Sequence, residues 1–235
     1  MSRKNYLVVG GSSGIGLSLV KKLSHEGHGV MVISRRAENL RGLSNVAHLP
    51  KDILADDIND SELPAVLDGV VYCPGSINLK PFRSLKPEAF LEDFNINVIG
   101  AVKVLQAAQK ALKKAGSTSS VVLFSTVAVG QGMPFHASVA AAKGAIEGLA
   151  RSLAAEWAPN VRVNCIAPSL TDTPMAERLL STPEKKEAAA QRHPLKRVGT
   201  PDDIASLAHF LLSENGSWMS GQVIGIDGGM STLKI

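Results

Sequence analysis

The sequence predicts an α/β protein, a three-layer doubly wound parallel sheet of about seven strands. Short apolar, β-rich runs alternate with helical patterns along the chain, and a glycine-rich turn joins the first strand to the first helix. Strands separated by helices form parallel sheets that are covered by helices on both faces. No repeat, linker or low-complexity stretch interrupts the pattern, and 235 residues can bury one large core. We therefore expect a single domain over residues 1–235.

The first strand runs directly into the glycine-rich turn, within residues 6–17, where three glycines have the spacing GxxxGxG. Glycine adopts backbone angles that are closed to other residues, and its lack of a Cβ atom lets a diphosphate approach the main chain. The helix that follows turns its free N–H groups and positive dipole end toward the phosphates. A tight turn with a purely structural role is the alternative. We favour a dinucleotide site that contains Gly10, Ser12, Ser13, Gly14, Ile15 and Gly16.

The later elements follow from apolar spacing and turn residues. Strand-like runs are predicted at residues 28–34, 46–49, 68–73, 121–124, 161–167 and 222–226. Helical patterns cover residues 87–115, 137–157, 174–180, 183–191 and 201–212. Pro74 and Gly75 close the fourth strand, and the helix over 137–157 is alanine-rich. The alternation of strand and helix therefore continues to the end of the chain.

Charge and composition argue against several classes of protein. The net charge of +4 is modest and the basic residues are scattered, which argues against nucleic-acid binding. No window approaches the ~20 apolar residues of a membrane span, and the N-terminus shows no cleavable signal peptide. Cys73 and Cys165 lie in apolar strand-like runs, where buried free thiols suit a reducing compartment. We expect a cytoplasmic protein without a membrane, nucleic-acid or metal partner.

A series of short motifs resembles the short-chain dehydrogenases/reductases over nearly the whole chain. In order, they are Gly10–Gly16, Asp52-Ile53, Asn97–Gly100, Ser125-Thr126, Ala142-Lys143, Asn164–Pro168, Thr173–Met175 and Asp227–Gly229. Each motif alone is weak, but their joint order is specific. The resemblance implies a Rossmann fold and hydride transfer between nicotinamide C4 and a carbonyl or alcohol.

The resemblance also implies which residues line the cofactor. Asp52, followed by Ile53, would hold the adenine amino group, and Thr173 would touch the nicotinamide carboxamide. Cys73-Pro74-Gly75 stands where the family often has Asn-Ala-Gly, which keeps the close backbone approach and loses a side-chain amide. The remaining implied contacts are Lys143, Pro168 and Thr171.

The end of the second strand favours NADP(H) over NAD(H). Enzymes that use NAD usually place a carboxylate there, which accepts hydrogen bonds from the ribose 2′-OH. This chain has Ser34-Arg35-Arg36 instead, with two guanidiniums and no carboxylate. Guanidinium pairs bidentately with phosphate, so a 2′-phosphate is favoured. A solvated basic turn is the alternative.

The catalytic residues depart from the family's pattern. In the family a Tyr hydroxyl exchanges the proton, four residues before a Lys, with a Ser that polarises the carbonyl and an Asn that holds a relay water. Lys143 and Asn97 match this pattern, and Thr126 stands at the Ser position. Val139 stands at the Tyr position and cannot exchange a proton, while both tyrosines lie in predicted strands elsewhere.

Other groups could take over the proton transfer. His136 precedes the predicted helix at the expected substrate side, and imidazole is a competent acid near pH 7. The alternative is a surface histidine without a catalytic role. Lys143 could also protonate a carbonyl through water, or could only bind the nicotinamide ribose.

Two further regions differ from the family's pattern, and the resemblance also implies an oligomer. Residues 37–67 are shorter than the resemblance leads us to expect, so the helices there must be abbreviated. Ser169 replaces the Gly that usually follows Pro168, and residues 173–193 form the expected substrate lid, with Arg192 and His193 expected at the surface. The resemblance also implies a homodimer or homotetramer formed through the helices over 87–115 and 137–157 and through the last helix and strand.

Three functions remain open from the sequence. The first is an NADP(H)-dependent oxidoreductase that acts on a small carbonyl or alcohol with an altered proton donor. The second is a non-catalytic NADP(H)-binding protein, such as a sensor or a partner subunit, and Val139 favours it. The third is an enzyme that uses the nucleotide for another reaction, which no residue specifically favours.

Overall fold

The computed structural model describes residues 3–234 and contains a seven-stranded, fully parallel sheet. Its strands are β1 Asn5–Val9, β2 Gly29–Ser34, β3 Val46–Pro50, β4 Gly69–Tyr72, β5 Ser119–Phe124, β6 Val161–Pro168 and β7 Val223–Ile226. Their order in the sheet is β3-β2-β1-β4-β5-β6-β7. The direction of winding reverses between β1 and β4, which opens a crevice at the carboxyl ends of these strands. The predicted doubly wound α/β fold is confirmed.

Helices cover both faces of the sheet. They are α1 Gly14–His25, α2 Pro87–Phe94, α3 Gly100–Leu112, α4 Val127–Gln131, α5 Ala137–Trp157, α6 Pro183–Gln191 and α7 Pro201–Leu212. Alternate residues of each strand point to opposite faces. Leu7 and Val9 accordingly pack with α3 and α5, whereas Tyr6 and Val8 pack with α1 and α7. The two cores together hold the three layers.

The predicted helix over 87–115 is interrupted and ends earlier. A π-helical turn at Asn95–Ile99 separates α2 from α3, and α3 ends at Leu112. The carbonyl of Ile96 accepts a hydrogen bond from the hydroxyl of Tyr72, in β4, at 2.6 Å. The spacing of apolar residues within the helix does not reveal this contact with a distant strand. Turns of this kind often occur at functional sites. Here the turn carries Asn97, which is buried.

A further difference is the short helix that follows β5. Helix α4 was not expected, and the Thr126 side chain caps it by accepting from the backbone N–H of Ala128 at 3.3 Å. Between β2 and β4, the helical structure is reduced to 3-10 turns at Glu38–Leu40 and Asp60–Glu62, as expected from the shortness of this region. Within residues 3–234, no helix has the length and apolar character needed to cross a bilayer.

Candidate active site

One cavity of about 1300 Å³ lies at the carboxyl edge of the sheet. The sequence-predicted residues that line it are Gly10, Ser12, Ser13, Gly14, Ile15, Gly16, Ser34, Arg35, Arg36, Asp52, Ile53, Cys73, Pro74, Gly75, Thr126, His136, Lys143, Pro168, Thr171 and Thr173. Asn97 does not line the cavity, and its side chain is buried. The fold therefore brings residues from distant segments of the chain to one cavity.

The glycine-rich turn forms one wall of the cavity. Gly10 and Gly14 have φ angles of +74° and +51°, which side chains rarely adopt. The first turn of α1 contains no acidic residue, and Ser13 makes no side-chain hydrogen bond as its N-cap. The N–H groups and positive dipole end of α1 are thus left for an anion.

Another part of the cavity wall is basic. Arg35 and Arg36 are exposed just beyond β2, and Ser34 fixes the turn by donating its hydroxyl proton to the Arg36 carbonyl at 2.7 Å. Arg35 Nη1 lies 4.0 Å from Asp52 Oδ2, with most of the guanidinium exposed. An exposed pair at this distance contributes little to stability. The guanidiniums are therefore available for a charged ligand.

Lys143 lies on α5 at the inner wall of the cavity. Its Nζ donates to the carbonyl oxygen of Phe124, at the end of β5, at 2.8 Å. Burial lowers the pKa of Lys143 from 10.5 to about 8, although nearby groups including Cys165, Cys73 and Asp93 act in the opposite direction. The charged form of Lys143 is therefore destabilised by burial, and its pKa of about 8 is close to neutral pH.

A buried polar network supports Asn97, and sequence analysis missed it. Asp93 is fully buried, and its Oδ1 accepts from the Ser76 hydroxyl at 2.5 Å and from Asn78 at 3.0 Å. Asn97 Nδ2 donates to Ser76 Oγ at 3.1 Å and to the Asp93 carbonyl at 2.8 Å. Asp93 Oδ2 and Asn97 Oδ1 have no partner within the described chain. The i, i+4 spacing of Asp93 and Asn97 was the available signal in the sequence.

Thr126 and Val139 also line the cavity. The Thr126 Oγ1 accepts from the backbone of α4, and its own proton has no recorded acceptor among residues 3–234. Val139 is 6% exposed and lies one turn before Lys143 on α5. The neighbouring Ser125 instead donates to Glu147 Oε1 at 2.7 Å. Thr126 is thus the hydroxyl of this pair that is able to donate into the cavity.

Neither tyrosine lines the cavity, whereas one of the two cysteines does. Tyr6 packs in the core and Tyr72 donates to a backbone carbonyl, and neither lines the cavity. Cys165 is buried as expected, whereas Cys73 is only half-buried because it faces the cavity, and both thiols are free.

His136 is half-buried at the N-terminus of α5. Its Nδ1 lies 2.7 Å from the carbonyl oxygen of Pro134, so this nitrogen must be the donor. The ring lines the cavity, as the proton-donor hypothesis requires.

The expectation that His193 is a surface residue is wrong. His193 is 1% exposed, with Nδ1 2.8 Å from the Ala189 carbonyl oxygen and Nε2 2.8 Å from Ser169 Oγ. After α6 ends, the chain turns inward, and His193 packs against the backbone at Gly228 beyond β7. Arg192 is exposed as expected, although it contributes to the rim of the cavity.

The buried cation at Lys143 has a measurable consequence for stability. Between pH 8 and pH 10.5 the folded protein releases this proton while the unfolded chain retains it. The unfolded state then binds more protons, so the free energy of unfolding rises with pH across this window. We expect this rise, up to about 3 kcal/mol, to be absent in Lys143→Met. Denaturant unfolding of the parent and the variant over this pH range measures the difference between them.

The exposed Lys110 on α3 provides the matched control. Lys110→Met should keep the parent's pH dependence. Parallel curves for the parent and Lys143→Met would contradict the assignment of a costly buried cation.

The chain is similar to known proteins over nearly its whole length. A sequence profile described as enoyl-(acyl carrier protein) reductase matches residues 9–231. The 3-oxoacyl-(acyl-carrier-protein) reductase MabA of Mycobacterium tuberculosis is 33% identical over 234 residues, covering 97% of this chain and 92% of MabA. A short-chain type dehydrogenase/reductase of Mycobacterium ulcerans superposes with a TM-score of 0.86 at 30% identity, covering 98% and 91% of the two chains. The RhlG/NADP active-site complex of Pseudomonas aeruginosa gives 0.88 at 26% identity, covering 98% and 97%.

Proposed function

The chain belongs to the short-chain dehydrogenase/reductase family, and on this premise we propose that it is an NADP(H)-dependent oxidoreductase of carbonyl or alcohol substrates. The observation that carries the proposal is the continuity of the cavity. It extends from Arg35 and Arg36, past the glycine-rich turn, to Thr126 and Lys143. One cavity thus contains a basic part, a turn suited to a diphosphate, and a part lined by a hydroxyl group and a lysine. A dinucleotide with a substrate beside it requires these three parts.

The residues present fit a nicotinamide dinucleotide. A Cβ atom at Gly14 would come within 3.3 Å of the Thr173 side chain, so the turn provides a narrow backbone cradle. The uncapped start of α1 suits the diphosphate, and Asp52 suits the adenine amino group. When bound, the reduced nicotinamide would supply the hydride. RhlG, whose structure was determined with NADP, is a similar protein that supports this assignment.

The preference for NADPH rests on Arg35 and Arg36. We expect the double variant Arg35→Ala/Arg36→Ala to bind NADPH about 10- to 100-fold more weakly, because charge-assisted hydrogen bonds contribute about 1.5–3 kcal/mol each. Its affinity for NADH should change little. Fluorescence titration of both cofactors measures this. Arg41→Ala, which removes a nearby exposed charge, is the control. An equal loss for both cofactors would contradict recognition of the 2′-phosphate.

Each catalytic assignment follows from the contacts of the side chain. Thr126 would donate its free proton to the substrate oxygen and polarise the carbonyl. Lys143 would bind the nicotinamide ribose and place a positive charge at the reacting end of the cavity. Asn97, held by Ser76 and Asp93, would keep its unpartnered Oδ1 for a proton-relay water.

The proton donor is the unusual part of this proposal. We assign Val139 to the position of the family's catalytic tyrosine, because it lies one turn before Lys143 and lines the cavity. His136 lines the same cavity and is one candidate for the replacement acid. MabA is named as a reductase of a 3-oxoacyl group, which supports a carbonyl as the substrate class here.

A non-catalytic NADP(H)-binding protein is the second candidate function. Val139 favours it, since an aliphatic side chain transfers no proton. The two functions are separated by incubating the protein at high concentration with NADPH deuterated at the transferable position and a panel of ketones, aldehydes and quinones. Transfer of deuterium to a product supports the oxidoreductase. Tight NADPH binding without transfer to any compound supports the non-catalytic protein.

The helices α2, α3 and α5 carry a surface that suits assembly of the protein into an oligomer. We propose that residues 1–235 form one NAD(P)-binding domain that assembles as a homodimer or homotetramer through α2, α3 and α5. Exposed Leu91, Phe94 and Ile99 on the α2–α3 segment support this interface. Two free thiols support a cytoplasmic location. Light scattering of the purified protein tests the assembly, and a monomer would contradict it.

A further inference from the structure

We propose that Ser169 and His193 deliver the proton to the substrate oxygen in this cavity. The inference rests on the proposed reductase function, and it assigns to these residues the role that Val139 cannot perform. Ser169 is the group that would touch the substrate. His193 is a positioning residue, which acts through Ser169.

The sheet places Ser169 beside Thr126. Phe124, the last residue of β5, is paired with Ile166 of β6, so Thr126 lies at about the level of Pro168, the last residue of β6. Adjacent strands are about 4.8 Å apart. Ser169 is the next residue after Pro168, and it lines the same cavity as Thr126 and Lys143. Its hydroxyl is therefore at the end of the cavity where the proposed reaction takes place.

The contacts of His193 determine which of its nitrogens carries a proton. Nδ1 lies 2.8 Å from the carbonyl oxygen of Ala189, which can only accept, so Nδ1 must be the donor. Nε2 lies 2.8 Å from Ser169 Oγ and is thus the nitrogen that can change its state. In the neutral ring Nε2 accepts the Ser169 proton. In the cation Nε2 donates to Ser169 Oγ, and the serine proton becomes free for another acceptor.

The fold isolates the His193 ring from bulk solvent, whereas Ser169 is half-buried in the cavity wall. His193 is 1% exposed, and the Ser169 hydroxyl connects its Nε2 to the cavity. Ser169 Oγ also lies 3.0 Å from Met230 Sδ, a weak acceptor that a substrate oxygen could displace.

The charged group that faces His193 from another element is Asp227, just beyond β7. Its carboxylate is fixed by the backbone N–H groups of Gly229 and Ser231, at 2.9 and 2.8 Å. On His193's own segment, Arg192 and Lys196 are exposed. Asp227 thus places a fixed negative charge that acts on the His193 side chain.

The proton passes from Ser169 to the substrate and is replaced from His193. A bound reduced nicotinamide would supply a hydride to the carbonyl carbon. The Ser169 O–H bond would then break, and its proton would form an O–H bond on the substrate oxygen. The Nε2–H bond of the imidazolium then breaks and restores the serine hydroxyl. The ring becomes neutral, with its remaining proton on Nδ1 at Ala189. After product release, a proton from bulk solvent, carried by water in the open cavity, recharges the ring through Ser169.

His136 is the rival donor. It is only half-buried, and among residues 3–234 no hydroxyl is hydrogen-bonded to its ring. His193 is buried, and its Nε2 is hydrogen-bonded to a hydroxyl that lines the cavity, which is why we place the role there.

The test uses Ser169→Ala, His193→Gln, their double variant, the rival His136→Gln, and His25→Gln as an exposed-histidine control at the end of α1. The kcat of carbonyl reduction is measured against pH, together with KM and the affinity for NADPH. Each single variant at Ser169 or His193 should lower kcat about 10²-fold or more, and should lose the decline of activity at rising pH. KM and NADPH affinity should stay within about twofold, and the double variant should be no slower than the worse single variant.

A second readout does not depend on activity. ¹⁵N NMR of the histidine-labelled protein should show His193 protonated on Nδ1 when neutral, and Ser169→Ala should shift the Nε2 resonance alone. Because Ser169→Ala removes one cavity-facing hydroxyl and leaves the buried ring in place, this variant tests the pair even where His193→Gln does not fold.

Three results would overturn the inference. In the first, Ser169→Ala retains both kcat and the parent's pH profile. In the second, His136→Gln abolishes the pH-dependent decline while the other two variants keep it. In the third, the parent binds NADPH yet transfers deuterium to no carbonyl, so that the oxidoreductase proposal fails and the proton-delivery role fails with it. In the first two cases the oxidoreductase proposal stands.

Discussion

Val139→Tyr is expected to raise the kcat of the Ser169→Ala variant by about 10²- to 10⁴-fold, the usual contribution of a positioned acid. Position 139 lines the cavity, and one helical turn separates it from Lys143. A tyrosine here would place its hydroxyl within the field of a buried cation, which lowers the pKa of a phenol. The new hydroxyl would thus replace the proton delivery that the serine no longer provides. Steady-state oxidation of NADPH with a reducible carbonyl measures the gain.

Val139→Phe is the matched control for this experiment, since it adds the same ring without the hydroxyl. We expect no gain in kcat from phenylalanine in either background. In the otherwise unchanged chain the gain from tyrosine should be smaller, because the Ser169–His193 pair already supplies a proton. If the parent is inert and Val139→Tyr alone makes it active, the chain is a reductase scaffold without its acid, and the non-catalytic function is favoured. Equal effects of Tyr and Phe would argue against position 139 as a proton-transfer position.

Gly16→Ala is expected to weaken NADPH binding more than 10-fold and to destabilise the fold by about 1–3 kcal/mol, the usual cost of overpacking. A Cβ atom at this position would overlap the Gly10 carbonyl oxygen, and it would lie 3.0 Å from Gly11 Cα. These are backbone atoms, so relief requires α1 to move away from the glycine-rich turn. The gain of about 1 kcal/mol from replacing glycine by alanine within a helix offsets only part of this cost.

The stability effect should appear as a decrease in Tm of a few degrees, at about 2–4 °C per kcal/mol for a chain of this size. Thermal unfolding and NADPH titration measure the two effects separately. Gly116→Ala is the control, since a Cβ atom there has no neighbour within 4 Å. Normal NADPH affinity in Gly16→Ala would show that close packing of α1 on the turn is not needed for the cofactor site.

Much of the fold could be predicted from the sequence because its signals are local. The β1–turn–α1 unit was recognised from apolar residues and glycines that are close together in the chain. Helix α7 was recognised from Pro201 after a polar cap, and the structure contains the capping box of Thr200 and Asp203. The limits of α5 and α6 also agree with the prediction, because apolar spacing and flanking residues define them within one segment.

Parts of the candidate site could be predicted because their residues belong to short sequence motifs. The glycine-rich turn, the Arg35–Arg36 pair and Lys143 were all placed from short patterns, and they line the same cavity. The residue before a helix, such as His136, could also be positioned approximately from sequence. None of these patterns indicates which side chains fill the space behind the cavity wall.

The tertiary structure alone decided those buried contacts. Ser169 and His193 are 24 residues apart, and the backbone that covers the ring lies beyond β7. Ser76 and Asp93 meet because the segment after β4 folds against α2, and Tyr72 meets the Ile96 carbonyl within the π-helical turn. A polar residue such as His193 is predicted at the surface because burial is unfavourable unless its hydrogen bonds are satisfied. Only the assembled fold provides those partners. The sequence therefore determined the sheet and the glycine-rich turn and predicts that Val139 stands at the tyrosine position, while packing determined which polar groups lie near the cavity.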